Sequence, residues 1–154
     1  MLMIKIKSTG GEKIEILDQT GKSVIYDIDQ ELLVNDNNYQ QEYLRQAQKY
    51  SFWADKLAIA NRQVSGAEQQ LDLIHAKLYH KYFLDLSKSK ARPTKDMVES
   101  EIIQDDSYQQ ALNSLNQCSF VEEKLKFIVK AFEQRKDMLI QFGAEMRKDR
   151  EIGA

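Results

Sequence analysis

The first 28 residues alternate apolar and polar side chains with a period of two. Met3-Ile4-Lys5-Ile6, Ile14-Glu15-Ile16 and Val24-Ile25-Tyr26 are short runs rich in β-branched residues, separated by Ser8-Thr9-Gly10-Gly11 and Asp18-Gln19-Thr20-Gly21. Such runs, broken by glycine-bearing turns, predict a three-stranded meander within residues 1–30. A sheet this small buries one face at most, so it has to pack on a helix or on a neighbouring subunit.

From Asn38 onward the period changes. Apolar or small residues fall at Tyr43, Ala47, Tyr50, Ala54, Leu57, Ala60, Val64, Ala67, Leu71, Ile74 and Leu78, always three or four apart. This is a coiled-coil-like seam, and Asn37 or Asn38 with Gln40 or Gln41 supplies its capping box. A helix over about 38–86 is on the order of 70 Å long, more than a small globule can cover. A second rod answers it: Leu115, Cys118, Val121, Leu125, Ile128, Phe132, Leu139, Phe142 and Met146 repeat the spacing, with Arg135 in the one slot that lacks an apolar residue. Asp106 and Gln109 are the expected cap and box at its start. Between the rods lie the only proline, Pro93, and a short helix capped by Thr94. The expected fold is mostly α: a long helical hairpin over 38–150 with a short helix at its bend, a small N-terminal β meander, and assembly into a ring-forming oligomer.

Composition agrees with long helices rather than a thick core: 42% of residues are hydrophobic and there is a single Pro. One cysteine, Cys118, cannot form an internal disulfide. The N-terminus lacks the continuous apolar stretch of a signal peptide, and no run reaches the roughly 20 apolar residues of a membrane helix, so a soluble, cytoplasmic protein without a membrane partner is expected.

Charge changes the picture at one place. The chain has 22 Lys and Arg against 24 Asp and Glu, yet His75 to Lys95 holds six cations (Lys77, Lys81, Lys88, Lys90, Arg92, Lys95) and one acid (Asp85), a net +5. Both flanks are net acidic. A run of cations is most often a solvated face. Here Tyr79, Tyr82 and Phe83 are interleaved with the lysines, and cations that track phosphates together with rings that stack on bases are what sequence-tolerant single-strand binding requires. Packing in the seam is the alternative for the rings.

Chemistry is otherwise sparse. His75 and His80 are five apart and have no cysteine or carboxylate cluster at metal-ligand spacing; Gly10-Gly11 lacks the context of a nucleotide loop. No catalytic residue, metal or cofactor is expected, and the protein reads as a non-enzyme. Trp53 with Phe52 and Tyr50 is a candidate partner patch, Phe52 being the hardest of the three to bury. Arg135, with Leu139 and Phe142 beside it, is a candidate for oligomerisation or register, its expected partner Glu68 or Asp72 or an acid of another subunit.

Several segments together resemble a family. "YSFWADKL" (Tyr50 to Leu57), "AKLYHKYF" (Ala76 to Phe83), the short acidic helix and "MLIQFGAEMRKD" near the end are similar to the phage recombination mediators of the UvsY type, over roughly residues 38–150. The resemblance implies a helical homo-oligomer that binds single-stranded DNA. It also implies help in loading a RecA-like recombinase onto DNA covered by single-strand DNA-binding protein, in homologous recombination and DNA repair. It places the host cell cytoplasm as the site of action. The family's DNA-contacting lysine carries over to Lys77 and its aromatic approximately to Tyr82, while His75 stands where a further cation is expected; Lys81, Lys88, Lys90 and Arg92 are the compensating candidates, and Lys95 completes the candidate DNA site. The competing reading is a helical hairpin scaffold or chaperone-like phage assembly protein whose bend is basic only for solubility.

Overall fold

In the computed structural model, which describes residues 4–8, 12–17, 20–89 and 92–152, three strands precede a long helical hairpin. Strands β1 (Ile4–Ser8), β2 (Glu12–Leu17) and β3 (Ser23–Asp27) form an antiparallel meander in the order β1-β2-β3, with Ile4 opposite Ile16 and Ile14 opposite Tyr26. Gly21 turns the chain from β2 into β3 at φ +82°, a conformation that glycine adopts without the clash a Cβ would bring. The expected turn at Gly10-Gly11 lies outside the described residues.

The helices begin where side chains satisfy their free N–H groups. Asp27 caps α1 (Ile28–Leu32), accepting from Gln30 N at 3.3 Å. A 3-10 turn (Asp36–Asn38) follows, capped by Asn35, and leads into α2 (Tyr39–Ser87). Thr94 caps α3 (Lys95–Gln104) as expected, through Met97 N. The cap of α4 (Asp106–Ile152) is Asp105 and not Asp106: its Oδ1 accepts from Ser107 N at 2.9 Å, one residue earlier than the sequence pattern placed it.

The chain divides into two units, Met1–Ala60 with Val121–Ala154, and Asn61–Phe120. In the first, Ile14, Ile16 and Ile28 share one core with Trp53 and Ala60 of α2 and Val121, Leu125, Ile128 and Phe132 of α4. The meander therefore packs on helices. Trp53, with 0% of its surface exposed, meets Tyr26 edge-on at 5.5 Å, Phe52 edge-on at 5.2 Å and Phe132 stacked at 6.4 Å. Its Nε1 finds no hydrogen-bond partner among the described residues.

The α4 seam follows the expected spacing through Leu139. The α2 seam does so from Ala60 to Leu78, but before Ala60 it is rotated. The residues turned inward are Glu42, Gln46, Lys49, Trp53, Lys56 and Ala60, also three and four apart, whereas Tyr43 is 54% and Tyr50 37% exposed. Each polar member has a specific partner: Glu42 pairs with Arg135, Gln46 Nε2 donates to Phe132 O at 2.6 Å, Lys49 Nζ donates to Glu31 O at 2.8 Å, and Lys56 lies over the Phe52 ring. Burial of satisfied polar groups carries little penalty, so the sheet and α1 can cover this face and leave the more apolar one open.

Candidate nucleic-acid interface

The second unit is held by Leu78, Val98 and Ile102, with Ile74, Tyr79, Tyr82, Phe83, Leu86 and Tyr108 packed against them. These residues bring the end of α2, all of α3 and the start of α4 together. His75 meets Glu99 at 2.9 Å and adds a polar tie between α2 and α3.

All three rings of the basic stretch belong to this packing. Tyr79 and Phe83 stack on each other at 6.4 Å with 13° between their planes. Tyr82 donates its phenol to Asp105 Oδ2 at 2.7 Å, and Lys81 Nζ sits 4.7 Å from the Tyr82 ring centre and 3.9 Å from Asp105. Of the two readings of these rings, packing is the one the fold shows for all three, which are partly buried: helical spacing puts Tyr79, Tyr82 and Leu78 on the side that α3 and α4 cover. Tyr82, expected beside Lys77 as a DNA contact, is half-buried with its hydroxyl directed inward.

The cations take the other side. Lys77 and Lys81 are four apart, which puts them on one exposed face of α2, and Lys88 is exposed in the turn just after the helix. Lys77 has no ion pair among the described residues, Lys81 is shared with Asp105, and Lys88 is held by Asp85 at 2.7 Å. Arg92 and Lys95 are exposed beyond the end of α2, and Lys90 lies outside the described residues.

Electrostatics tie the cation face to the helix junction. Asp105 is held down to about 2, foremost by the Ser107 hydroxyl, then by the Tyr82 phenol and the Ser107 backbone N–H, with Lys81 contributing least. The Tyr82 phenol is raised in turn, mainly by its hydrogen bond to Asp105. Lys88 lowers Asp85 through its hydrogen bond and charge. No group of three or more His, Cys, Asp or Glu among the described residues is placed to hold a metal, and no helix is long and apolar enough to cross a membrane.

The other expected site lies in the first unit. Arg135 is 4% exposed; its Nε donates to Leu32 O at 3.0 Å, an Nη to Leu33 O at 3.2 Å, and the remaining contacts go to Gln46 Oε1 and Glu42 Oε2. Its carboxylate partner is Glu42, not Glu68 or Asp72, and the residue locks elements inside one protomer. Leu139 is buried beside it. Phe142 is 40% exposed, with its ring 5.2 Å from Tyr39. The partner patch read around Trp53 is likewise reversed: Trp53 is the most buried of its three residues and Tyr50 the most exposed.

What the sequence pattern marked as seam and the fold left open is a groove of about 640 Å³ in the first unit, lined by Tyr43, Ala47, Tyr50, Phe132, Ile140 and their neighbours, with Glu133, Lys136 and Asp137 among its polar residues. Its apolar spacing was legible; that no element among the described residues fills it was not.

No family model, curated protein or solved structure matches the chain. The site's own geometry and chemistry carry the functional reading.

Proposed function

We propose that this protein is a non-enzymatic recombination mediator that binds single-stranded DNA at the hairpin bend and helps load a RecA-like recombinase onto DNA covered by single-strand binding protein. The observation that carries the reading is the outward stripe of Lys77, Lys81 and Lys88, continued by Arg92 and Lys95. Cations on one face of a rigid helix neutralise successive phosphates and release their counterions, with no demand on base sequence. Because the rings face inward, affinity rests on phosphate contacts more than on stacking. Protomers associate through the open groove around Tyr43, Tyr50 and Ile140, which sums the basic faces of a chain that is acidic overall. The recombinase-loading role rests on the resemblance to the UvsY-type mediators. For such a mediator to act, its free energy of interaction must differ between the two states of the DNA it binds.

A scaffold reading is favoured by one observation: Lys88 and Lys81 already have carboxylate neighbours, while the apolar groove has none to fill it. A titration separates the two. Anisotropy of labelled oligothymidylate is measured at two salt concentrations for wild type and for a variant with Lys77, Lys81, Lys88, Lys90, Arg92 and Lys95 changed to Gln. The mediator reading expects binding that prefers single strands to duplex, weakens with salt at a slope of about −0.7 per phosphate contacted, and is lost in the variant. Absence of binding by wild type at low salt sinks it in favour of the scaffold.

A further inference from the structure

Over residues 61–88, α2 sorts its charges by face. At 100° per residue, Arg62, Gly66, Leu73, Lys77 and Leu84 fall along one stripe with Lys81 at its edge, and Lys88 follows in the turn after the helix. All seven are exposed. Every Lys and Arg of this span stands on or beside the stripe, whereas two of its three acids, Glu68 and Asp72, point away from it; the third, Asp85, stands at its bend end, paired with Lys88 at 2.7 Å. A face that is merely solvated carries both signs interspersed. The stripe is about 39 Å long at 1.5 Å per residue, roughly twice the distance from Lys77 to Lys88.

Gly66 adds a second, independent observation. A glycine inside a helix is about 1 kcal/mol less favourable than alanine. Nothing in the chain requires it: a Cβ built there meets no atom within 4 Å. The bare backbone faces solvent on the charged stripe, in line with Arg62, where an external chain can come closer to the helix axis than any side chain would allow. Leu73 and Leu84, 48% and 49% exposed, lie farther along the same line and offer apolar contact to sugars and bases between the cations.

We propose that the single-strand track does not end at the bend but runs back along α2 to Arg62, crossing the helix backbone closely at Gly66. This rests on the reading of the bend as a single-stranded DNA site and extends it to a longer strand with one more phosphate contact. The occupant is a flexible polyanion of regular charge spacing, because the stripe offers four cations over several turns and its neighbouring acids, Asp85 and Asp105, sit only at the bend end beside Lys88 and Lys81.

The test uses the full chain and oligothymidylates of increasing length. Arg62→Gln is expected to reduce the salt slope by about 0.7 on long oligonucleotides, with no change on ones too short to leave the bend. Gly66→Leu is expected to weaken binding of long oligonucleotides several-fold while circular dichroism shows the helix intact. Lys130→Gln, an exposed cation of the other unit, should match wild type. If wild type binds and the bend variant does not, yet Arg62→Gln and Gly66→Leu bind long strands as wild type does, the track stops at the bend and this inference falls while the bend reading stands. Loss of all wild-type binding removes both. Competition by polyglutamate as effective as that by oligothymidylate would overturn the nucleic-acid assignment in favour of an acidic protein partner.

Discussion

Arg135 joins three elements through one guanidinium. It donates to the Glu42 carboxylate of α2 and to the carbonyls of Leu32 and Leu33 at the end of α1, a helix whose last turn has no basic residue of its own. Truncating one partner of a buried charge pair strands the other, at about 3–5 kcal/mol. Arg135→Met is therefore expected to lower the unfolding free energy in urea by about 3 kcal/mol, and Glu42→Leu in the same chain to recover part of that loss. A double-mutant cycle that comes out additive would contradict the coupling. Asp105 makes a different contribution, set by pH. Its carboxyl titrates near 2 in the fold against an ordinary 3.8, so the folded state holds the ionised form more strongly. That stability is fully present above about pH 4 and disappears as pH falls through 2. Asn caps a helix as well as Asp does, so Asp105→Asn removes the charge and keeps the cap. The melting temperatures of wild type and Asp105→Asn should converge between pH 4 and 2; a constant gap would show that the charge is not what Asp105 supplies.

At the scale of elements, α2 shows how far periodicity reaches. Three- and four-residue spacing identified both long helices, and β-branched alternation with glycine turns identified the meander, because each pattern follows directly from the geometry of its element. Which face of α2 turns inward near the sheet was not legible. Glu42, Gln46 and Lys49 read as solvent-facing by residue type, and only their particular acceptors and donors allow them inside. The α4 seam was read correctly as far as Leu139 because its members are apolar, apart from Arg135, whose irregularity was visible but whose partner was not; Phe142 and Met146 beyond it are exposed. Two helical glycines carry opposite expectations for the same substitution. A Cβ at Gly143 would lie 2.5 Å from Tyr39 Oη, whose hydroxyl donates to Leu139 O and ties the start of α2 to α4. Gly143→Ala should thus destabilise by about 1–3 kcal/mol, relieved by Tyr39→Phe, which removes the crowding oxygen. Gly66→Ala, with open space before it, should stabilise by up to about 1 kcal/mol. Equal melting shifts for the two alanine variants would refute this account of their surroundings.

For the molecule as a whole, charge distribution was the most informative signal and composition the least. Overall balance is mildly acidic, yet the cations gather between His75 and Lys95, and the fold keeps five of those six on its described outer surface. The aromatic residues among them were ambiguous in sequence because a helix interleaves its two faces: neighbours along the chain, such as Lys81 and Tyr82, point in directions 100° apart. Separating them took the positions of α3 and α4. Arg62 escaped attention for the converse reason, being far from the basic run in sequence and in line with it only along the helix.

Trp53 is the chain's single tryptophan, fully enclosed, and its indole N–H meets no acceptor among the described residues. An excited indole enclosed by the rings of Tyr26, Phe52 and Phe132 has little that is polar to relax against, so the protein should fluoresce at short wavelength and shield that light from aqueous quenchers. It carries an intrinsic optical reporter on the packing of sheet against helix, sited in a different unit from the cations of the bend.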